Sequence, residues 1–101
     1  MNPTSTTFFN KHLENLQNEY SEISLEIETY AHDNNIKSPL MGDKHYYELK
    51  IAQQEIMLDI KRTEAILKGK EFSYIRYHRP IITRRISELK NFMWDAPEVI
   101  T

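Results

Sequence analysis

The chain of 101 residues contains no cysteine, only two glycines and four prolines. Without cysteine, disulfides, thiol catalysis and cysteine-ligated zinc sites are excluded. So few glycines and prolines argue against a β-sandwich, which needs many tight turns. No apolar run approaches the roughly 18 residues that a membrane-spanning helix requires. These absences favour an all-α protein that makes no membrane contact.

The first residues, Met-Asn-Pro-Thr-Ser-Thr-Thr, have neither the basic start nor the apolar run of a secretion signal. Such a signal combines a positively charged beginning with an apolar stretch of roughly 7–15 residues. We therefore expect a cytoplasmic protein.

Apolar residues recur at alternating spacings of four and three near the start of the chain. They are Phe9, Leu13, Leu16, Tyr20, Ile23, Ile27 and Tyr30. This is the seven-residue register of a coiled coil, in which a narrow apolar stripe lies along a second helix. We call this set the heptad stripe. It predicts helix 1 over about residues 7–33.

Residues 34–43 contain paired asparagines, a proline and a glycine, and this composition predicts a loop. Asp43 is a suitable N-cap for a second helix over about residues 44–68, and Gly69 a suitable C-cap. One broad face of helix 2 carries Leu49, Ala52, Ile56, Met57, Ile60 and Leu67. A nearly opposite stripe carries Tyr47, Ile51, Leu58, Ala65 and Phe72. Both sides must therefore be covered, one by helix 1 and the other by helix 3 or a second subunit.

Residues 69–79 are predicted as a connector, although a continuation of helix 2 is an open alternative. The residue before a proline avoids helical angles, so we expect a break or sharp kink before Pro80. A third helix then covers about residues 80–94, and residues 95–101 form a tail.

The predicted fold is therefore a single all-α domain over residues 1–101. It consists of a long antiparallel, coiled-coil-like helical hairpin and a shorter third helix. The apolar surplus on helix 2 predicts assembly into a dimer or a higher homo-oligomer.

The net charge of −2 conceals a strong polarity along the chain. Residues 1–60 carry four Lys or Arg against ten Asp or Glu, whereas residues 61–90 carry nine against three. Acidic and basic helices could face each other, within or between subunits. Alternatively, the basic segment binds an anion.

Cations alternate with aromatic residues in the segment 68–85. Arginine clamps phosphate oxygens, and aromatic rings stack on bases, so this segment is a candidate site for nucleic acid or nucleotide phosphate. The candidate residues are Lys68, Lys70, Tyr74, Arg76, Tyr77, Arg79, Arg84 and Arg85. In the alternative interpretation, the tyrosines complete the core and the arginines pair with glutamates of helix 1.

No motif indicates catalysis. Gly69-Lys70 lacks the glycines of a phosphate-binding loop, and no nucleophile arrangement is recognisable. The pairs Glu28/His32 and His45/Glu48 lack a third ligand for a metal. We therefore predict no enzyme activity, no cofactor and no metal.

Aromatic residues beside the helix ends and the acidic outer face of helix 1 are candidates for a protein interface. The candidate residues are Glu19, Glu22, Glu26, Tyr46, Tyr47, Ile51, Leu58 and Trp94. The leading hypothesis is a non-enzymatic binding protein, an adaptor or inhibitor, of the kind that serves as a bacterial or phage accessory factor. The alternatives are nucleic-acid or nucleotide binding through residues 68–85, and a structural oligomer or assembly scaffold.

Overall fold

The computed structural model describes residues 2–98, in which all the regular secondary structure is helical and no β-strand occurs. The elements are α1 (Pro3–Asp33), α2 (Lys44–Lys68), α3 (Glu71–Ser73), a π-helical segment (Tyr74–His78) and α4 (Arg79–Asp95). The last three follow one another without a gap, and we call residues 71–95 the third helix. The prediction of an all-helical chain is confirmed for the described residues.

Helix α1 begins at Pro3, earlier than the predicted start at about residue 7. The side chain of Asn2 accepts a hydrogen bond from the Ser5 N–H at 2.8 Å, and Pro3 occupies the first helical position. An asparagine N-cap followed by proline is a favourable helix start, because the capping oxygen satisfies a free N–H and proline lacks one. The threonines that follow lie inside the helix.

The heptad stripe faces α2 as predicted. All its members are buried or half-buried, with Leu16 and Ile27 the most deeply buried. The Tyr30 hydroxyl donates a hydrogen bond to Asp43 at 2.7 Å. Further along, the Gln53 amide donates to the Ser24 hydroxyl at 3.0 Å. These contacts fix the alignment of α1 on α2.

Helix α2 has the predicted bounds and lies between the other two helices. Asp43 accepts a hydrogen bond from the Tyr46 N–H at 2.9 Å, and Gly69 ends the helix in the left-handed region at φ 67°. Both α1 and α4 pack on α2, but no Cα atom of α1 lies within 8 Å of one in α4. The backbones of the acidic and basic helices therefore do not lie directly against each other.

The third helix of the same chain covers Ile51 and Leu58 of the second apolar stripe, whereas Phe72, predicted in the same stripe, lies beyond α2 and is exposed. Ile51 forms a buried cluster with Ile82 and Ile86, and Leu58 packs against this cluster. We predicted Ile51 and Leu58 as interface residues, and this assignment is wrong because α4 occupies their side of α2. A second subunit is not needed to cover them.

The assignment of Tyr46 and Tyr47 to a protein interface is also wrong. Tyr47 is only 2% exposed, stacks on Phe92 at 5.9 Å and contacts Tyr46, which is also buried. Its hydroxyl donates to the Pro39 carbonyl at 3.0 Å and accepts from the Gly42 N–H at 3.2 Å. Tyr47 therefore joins the loop, α2 and α4 in one core.

The connector predicted over 69–79 is only two residues long, 69–70, since the chain is helical from Glu71 onward. A break before Pro80, one of the two predicted alternatives, is wrong. In the π-helical segment the Arg79 N–H donates to the Tyr74 carbonyl, five residues back. Proline removes one helical N–H and its ring crowds the carbonyl four residues earlier. The wider π turn gives that ring room, so the helix continues through Pro80.

The predicted tail, 95–101, lies partly outside the described residues, which end at Glu98. Asp95 is the last residue of α4. The Lys44 N–H donates to the Pro97 carbonyl at 3.0 Å, and the Lys44 ammonium lies 2.8 Å from Glu98. Residues 96–98 therefore contact the start of α2, where helical N–H groups lack internal partners.

Tyr30 gives the fold a sensitivity to alkaline pH. Burial, the hydrogen bond to Asp43 and the negative charge of Asp43 together raise the pKa of Tyr30 from 10.0 to about 12. Because the pKa of Tyr30 is higher in the folded than in the unfolded state, protonated Tyr30 stabilises the fold. This contribution is complete below pH 10 and is lost as the pH rises toward 12. We expect the free energy of unfolding of the wild type to fall more steeply between these values than that of Tyr30→Phe. Urea titrations from pH 9 to 12 measure this difference, and parallel curves for the two proteins would refute the assignment.

Candidate binding surfaces

An exposed cluster of aromatic side chains surrounds one arginine on the third helix. Phe72 is 72% exposed and Tyr77 is 57% exposed. The Arg76 guanidinium carbon lies 6.0 Å from the centre of the Phe72 ring and 5.8 Å from that of the Tyr77 ring. Cation–π attraction favours this arrangement, in which the arginine lies near two rings. With the exposed Ile75, we call these residues the aromatic–arginine cluster.

The other arginines of the third helix, Arg79, Arg84 and Arg85, are exposed. Within residues 2–98, no arginine lies within 4.0 Å of a carboxylate, and the ion pairs involve only lysines and histidines. The alternative in which these arginines pair with glutamates of helix 1 is therefore not observed within one chain. Their charge faces solvent and is available to a partner.

Tyr74 differs from the other predicted anion-binding residues because it is only 7% exposed. It cannot offer a ring face to a base. Instead it lines a cavity of about 200 Å³ between the end of α2 and the start of the third helix. The full lining is Lys61, Glu64, Ala65, Lys68, Lys70, Ser73, Tyr74 and His78. We call this cavity the lysine hollow.

A second cavity of about 310 Å³ adjoins the lysine hollow and shares Lys61 and His78 with it. We call it the apolar hollow, since its walls include Tyr20 of α1, Met57 of α2, and Ile81 and Ile82 of the third helix. Gln54 and Arg85 complete its lining. The Oε1 atom of Gln54 is buried and has no hydrogen-bond partner among the described residues.

Sequence reasoning missed Gln54 and Lys61. With Lys68 they recur every seven residues along α2, and this spacing places them on one side of the helix. This spacing can be read from the sequence. That these residues line cavities becomes apparent only from the structure, in which α1 and the third helix supply the other lining residues.

The acidic face of α1 presents a separate hollow of about 380 Å³. Glu22, Glu26 and Asp33 place carboxylates around Leu25, which is 64% exposed. Glu19, the remaining predicted residue of this face, is also exposed. Among residues 2–98 none of the three predicted glutamates forms an ion pair. We call the surface around Leu25 the acidic hollow.

Trp94 is the most exposed large apolar residue of the described chain, at 84%. It lines a shallow cavity of about 340 Å³ with Lys44, Glu48 and Met93. Of the three aromatic residues predicted at an interface, only Trp94 is available on the surface.

The described residues bring no set of three or more His, Asp or Glu side chains together as metal ligands. His45 and Glu48 form a pair at 3.6 Å. Over the same residues, no helix has the length and apolar character needed to traverse a bilayer.

No protein-family model matches the sequence, and neither curated proteins nor solved structures show a significant match. The functions proposed below therefore rest on residues of this chain.

Proposed function

We propose that this chain is a non-enzymatic cytoplasmic binding protein that acts by protein–protein contact through the aromatic–arginine cluster. The single observation that carries the proposal is an arginine near the centres of two exposed rings, with no carboxylate partner among residues 2–98. Aromatic residues and arginine dominate the energetic centres of protein interfaces. The absence of cysteine suits a reducing compartment.

The partner is a protein surface that is both acidic and partly apolar. Ile75 and Ile81 are exposed beside the cluster, and such side chains need apolar contacts rather than phosphates. The net charge of −2 also opposes binding to a polynucleotide, whose affinity comes mainly from neutralised phosphates.

The acidic hollow of α1 has the required chemistry, with three carboxylates around an exposed leucine. Within residues 2–98 no ion pair joins this surface to the aromatic–arginine cluster, and no Cα atom of α1 lies within 8 Å of one in α4. A second copy can bring them together, so the first partner to test is the chain itself as a homo-oligomer. Opposite surface charges accelerate such association and select the partner.

An antiparallel hairpin of α1 and α2 is part of this proposal. Tyr30 contacts Asp43, whereas the earlier residue Ser24 contacts the later residue Gln53. Residue numbers thus fall along α1 as they rise along α2, which supports the antiparallel order.

A charge-reversal experiment tests the proposal. Glu22→Lys with Glu26→Lys inverts the acidic hollow, and Arg76→Glu with Arg79→Glu inverts the basic surface. We expect each double variant to weaken self-association at least about ten-fold, because like charges then face each other, and an equimolar mixture of the two to restore it. Light scattering coupled to size-exclusion chromatography at low salt measures the mass. Glu55→Lys with Asp59→Lys, an equal charge change on exposed positions of α2, is the matched control.

A monomeric wild type at about 100 μM, or association that survives both reversals, would contradict this partner. Open-ended growth of the mass would instead favour the structural scaffold.

The second candidate function, nucleic-acid binding, is favoured by the unpaired arginines beside exposed rings. Fluorescence anisotropy with a single-stranded oligonucleotide separates the two, since saturable binding that weakens steeply with salt would favour the nucleic acid.

A further inference from the structure

We propose that one side of the α2–third helix pair is a groove that binds an acidic amphipathic helix of another protein. Side chains of α2 and of the third helix line this groove, and Tyr20 of α1 lies at its edge. No residue of the aromatic–arginine cluster belongs to the lining. The groove is therefore a second surface, beyond the protein contact proposed above.

Three cavities follow one another along this side of the helix pair. The first, of about 300 Å³, is lined by Lys50, Gln54, Arg85, Glu88, Leu89 and Phe92. The apolar hollow comes next, and the lysine hollow lies at the end of α2. From one cavity to the next, the lining residues of α2 rise in number while those of the third helix fall. The three cavities therefore form a row along the two helices.

The lining residues recur with the heptad spacing of a helix-packing surface. On α2 they are Lys50, Gln54, Met57, Lys61, Glu64 and Lys68, at alternating intervals of four and three. On the third helix they include His78, Ile81, Arg85, Glu88 and Phe92, at the same two intervals. Residues with this spacing lie on one side of a helix. Two such rows side by side receive the successive side chains of a further helix, each in its own cavity.

The chemistry of the groove defines the helix that fits it. Met57 is half-buried, and Ile81 and Phe92 are exposed, so apolar side chains line its length. The cations of the three linings, Lys50, Lys61, Lys68, Lys70 and Arg85, outnumber the carboxylates, Glu64 and Glu88. Within residues 2–98 only Lys68 among these cations forms an ion pair, with Glu64 at 3.8 Å. A complementary helix carries an apolar residue every three or four positions, with Asp or Glu beside them.

The acidic helix of this chain, α1, does not have that pattern on its free side. Its heptad stripe packs on α2, and the large apolar side chains that it exposes are Phe8 and Leu25. These two residues are about five helical turns apart. A second copy of α1 would therefore leave most of the groove unfilled, and this favours a different protein as the partner.

A designed peptide tests the groove directly. From Lys50 to Lys68 the groove is about 27 Å long at the helical rise of about 1.5 Å per residue, so a peptide of about three heptads spans it. The probe has leucine at the a and d positions and glutamate at the e and g positions, and carries a fluorescent label. We expect saturable binding to the full chain by fluorescence anisotropy, with a Kd below about 100 μM.

Two control peptides separate charge from apolar contact. A peptide with lysine in place of each glutamate should bind at least about ten-fold more weakly, because it meets the cations of the groove with like charge. A peptide of the glutamate composition with its leucines moved out of register should show no saturable binding, because its apolar residues no longer share one side of the helix.

Variants of the protein locate the binding. Ile81→Asp should weaken the glutamate peptide at least about ten-fold, and Lys61→Glu with Arg85→Glu should do the same while strengthening the lysine peptide. The matched control is Arg62→Glu with Arg84→Glu, an equal charge change at neighbouring exposed positions outside the three linings. At about 150 mM salt, where exposed charges are screened beyond about 8 Å, it should change the affinity by no more than about three-fold. Circular dichroism verifies that each variant is folded.

The proposal is refuted if the glutamate peptide shows no saturable binding up to about 1 mM protein. It is also refuted if the two charged peptides bind equally, or if the control variant weakens binding as much as Lys61→Glu with Arg85→Glu. Loss of self-association in the latter variant would mean that a second copy occupies the groove, and would overturn the proposal too. The test of protein contact above reverses charges at other residues and measures mass, so either proposal can fail alone.

Discussion

Replacement of Tyr47 by alanine is expected to lower the free energy of unfolding by about 3–5 kcal/mol, the usual cost of deleting a buried aromatic ring. Tyr47 is 2% exposed, and its ring contacts both Tyr46 of α2 and Phe92 of α4. Its hydroxyl also ties the loop to α2 through Pro39 and Gly42. The truncation would therefore remove contacts that join the loop 34–43, α2 and α4. Urea unfolding followed by circular dichroism measures the change.

Two further variants divide this effect into its causes. Tyr47→Phe keeps the ring but leaves the Gly42 N–H without its acceptor, so we expect a loss of about 1–2 kcal/mol. Tyr77→Ala removes the same kind of ring from an exposed position of the third helix. It should change the free energy of unfolding by no more than about 0.5 kcal/mol. If Tyr47→Ala cost no more than Tyr77→Ala, Tyr47 would not occupy the core described above.

Replacement of Ile82 by aspartate is expected to detach the third helix from α2. Ile82 lies in the buried cluster with Ile51 and Ile86, and an unpaired carboxylate there costs about 3–5 kcal/mol. Since the contacts of α1 with α2 do not involve this position, the hairpin should remain. Hydrogen exchange should show lost protection over residues 71–95 and retained protection in α1.

The neighbouring Ile81 provides the matched control. Ile81 is exposed, so Ile81→Asp introduces the same charge into the same helix without burying it. We expect a change within about 0.5 kcal/mol and unaltered protection of the third helix. Equal effects of the two substitutions would mean that Ile82 does not face α2.

The sequence was sufficient for features that depend on local spacing. The heptad stripe predicted the buried side of α1, and Asp43 and Gly69 marked the ends of α2. Capping and amphipathic periodicity are properties of neighbouring residues, so no knowledge of the fold is needed to recognise them. Capping and periodicity predicted α1 and α2, and the two apolar faces of α2 indicated that other helices must pack on both of its sides.

The identity of that cover depended on contacts between distant residues. Tyr47 was an interface candidate because it stands at a helix end, but Pro39, Gly42 and Phe92 from two other parts of the chain contact it in the core. The expectation that proline interrupts the helix was not met at Pro80 for a different reason. A π turn accommodates the proline ring without a break, and residue types alone do not distinguish a π turn from a break.

The candidate site was predicted in part. The basic segment supplied Lys68 and Lys70 of the lysine hollow, and the exposed Arg76 and Tyr77 of the aromatic–arginine cluster. Gln54 could not be assigned, because its unpaired oxygen becomes apparent only when the packing around it is known.

In this fold the third helix of the same chain covers Ile51 and Leu58 on the second apolar stripe of α2. An isotope-filtered nuclear Overhauser experiment on a mixture of labelled and unlabelled chains tests it directly. Cross-peaks that join Ile51 to the methyl groups of Ile82 and Ile86 should appear in the uniformly labelled protein and vanish in the filtered spectrum, which detects only contacts between chains. If the same cross-peaks persisted in the filtered spectrum, the third helix of a second subunit would cover Ile51 instead, which would contradict the packing described above.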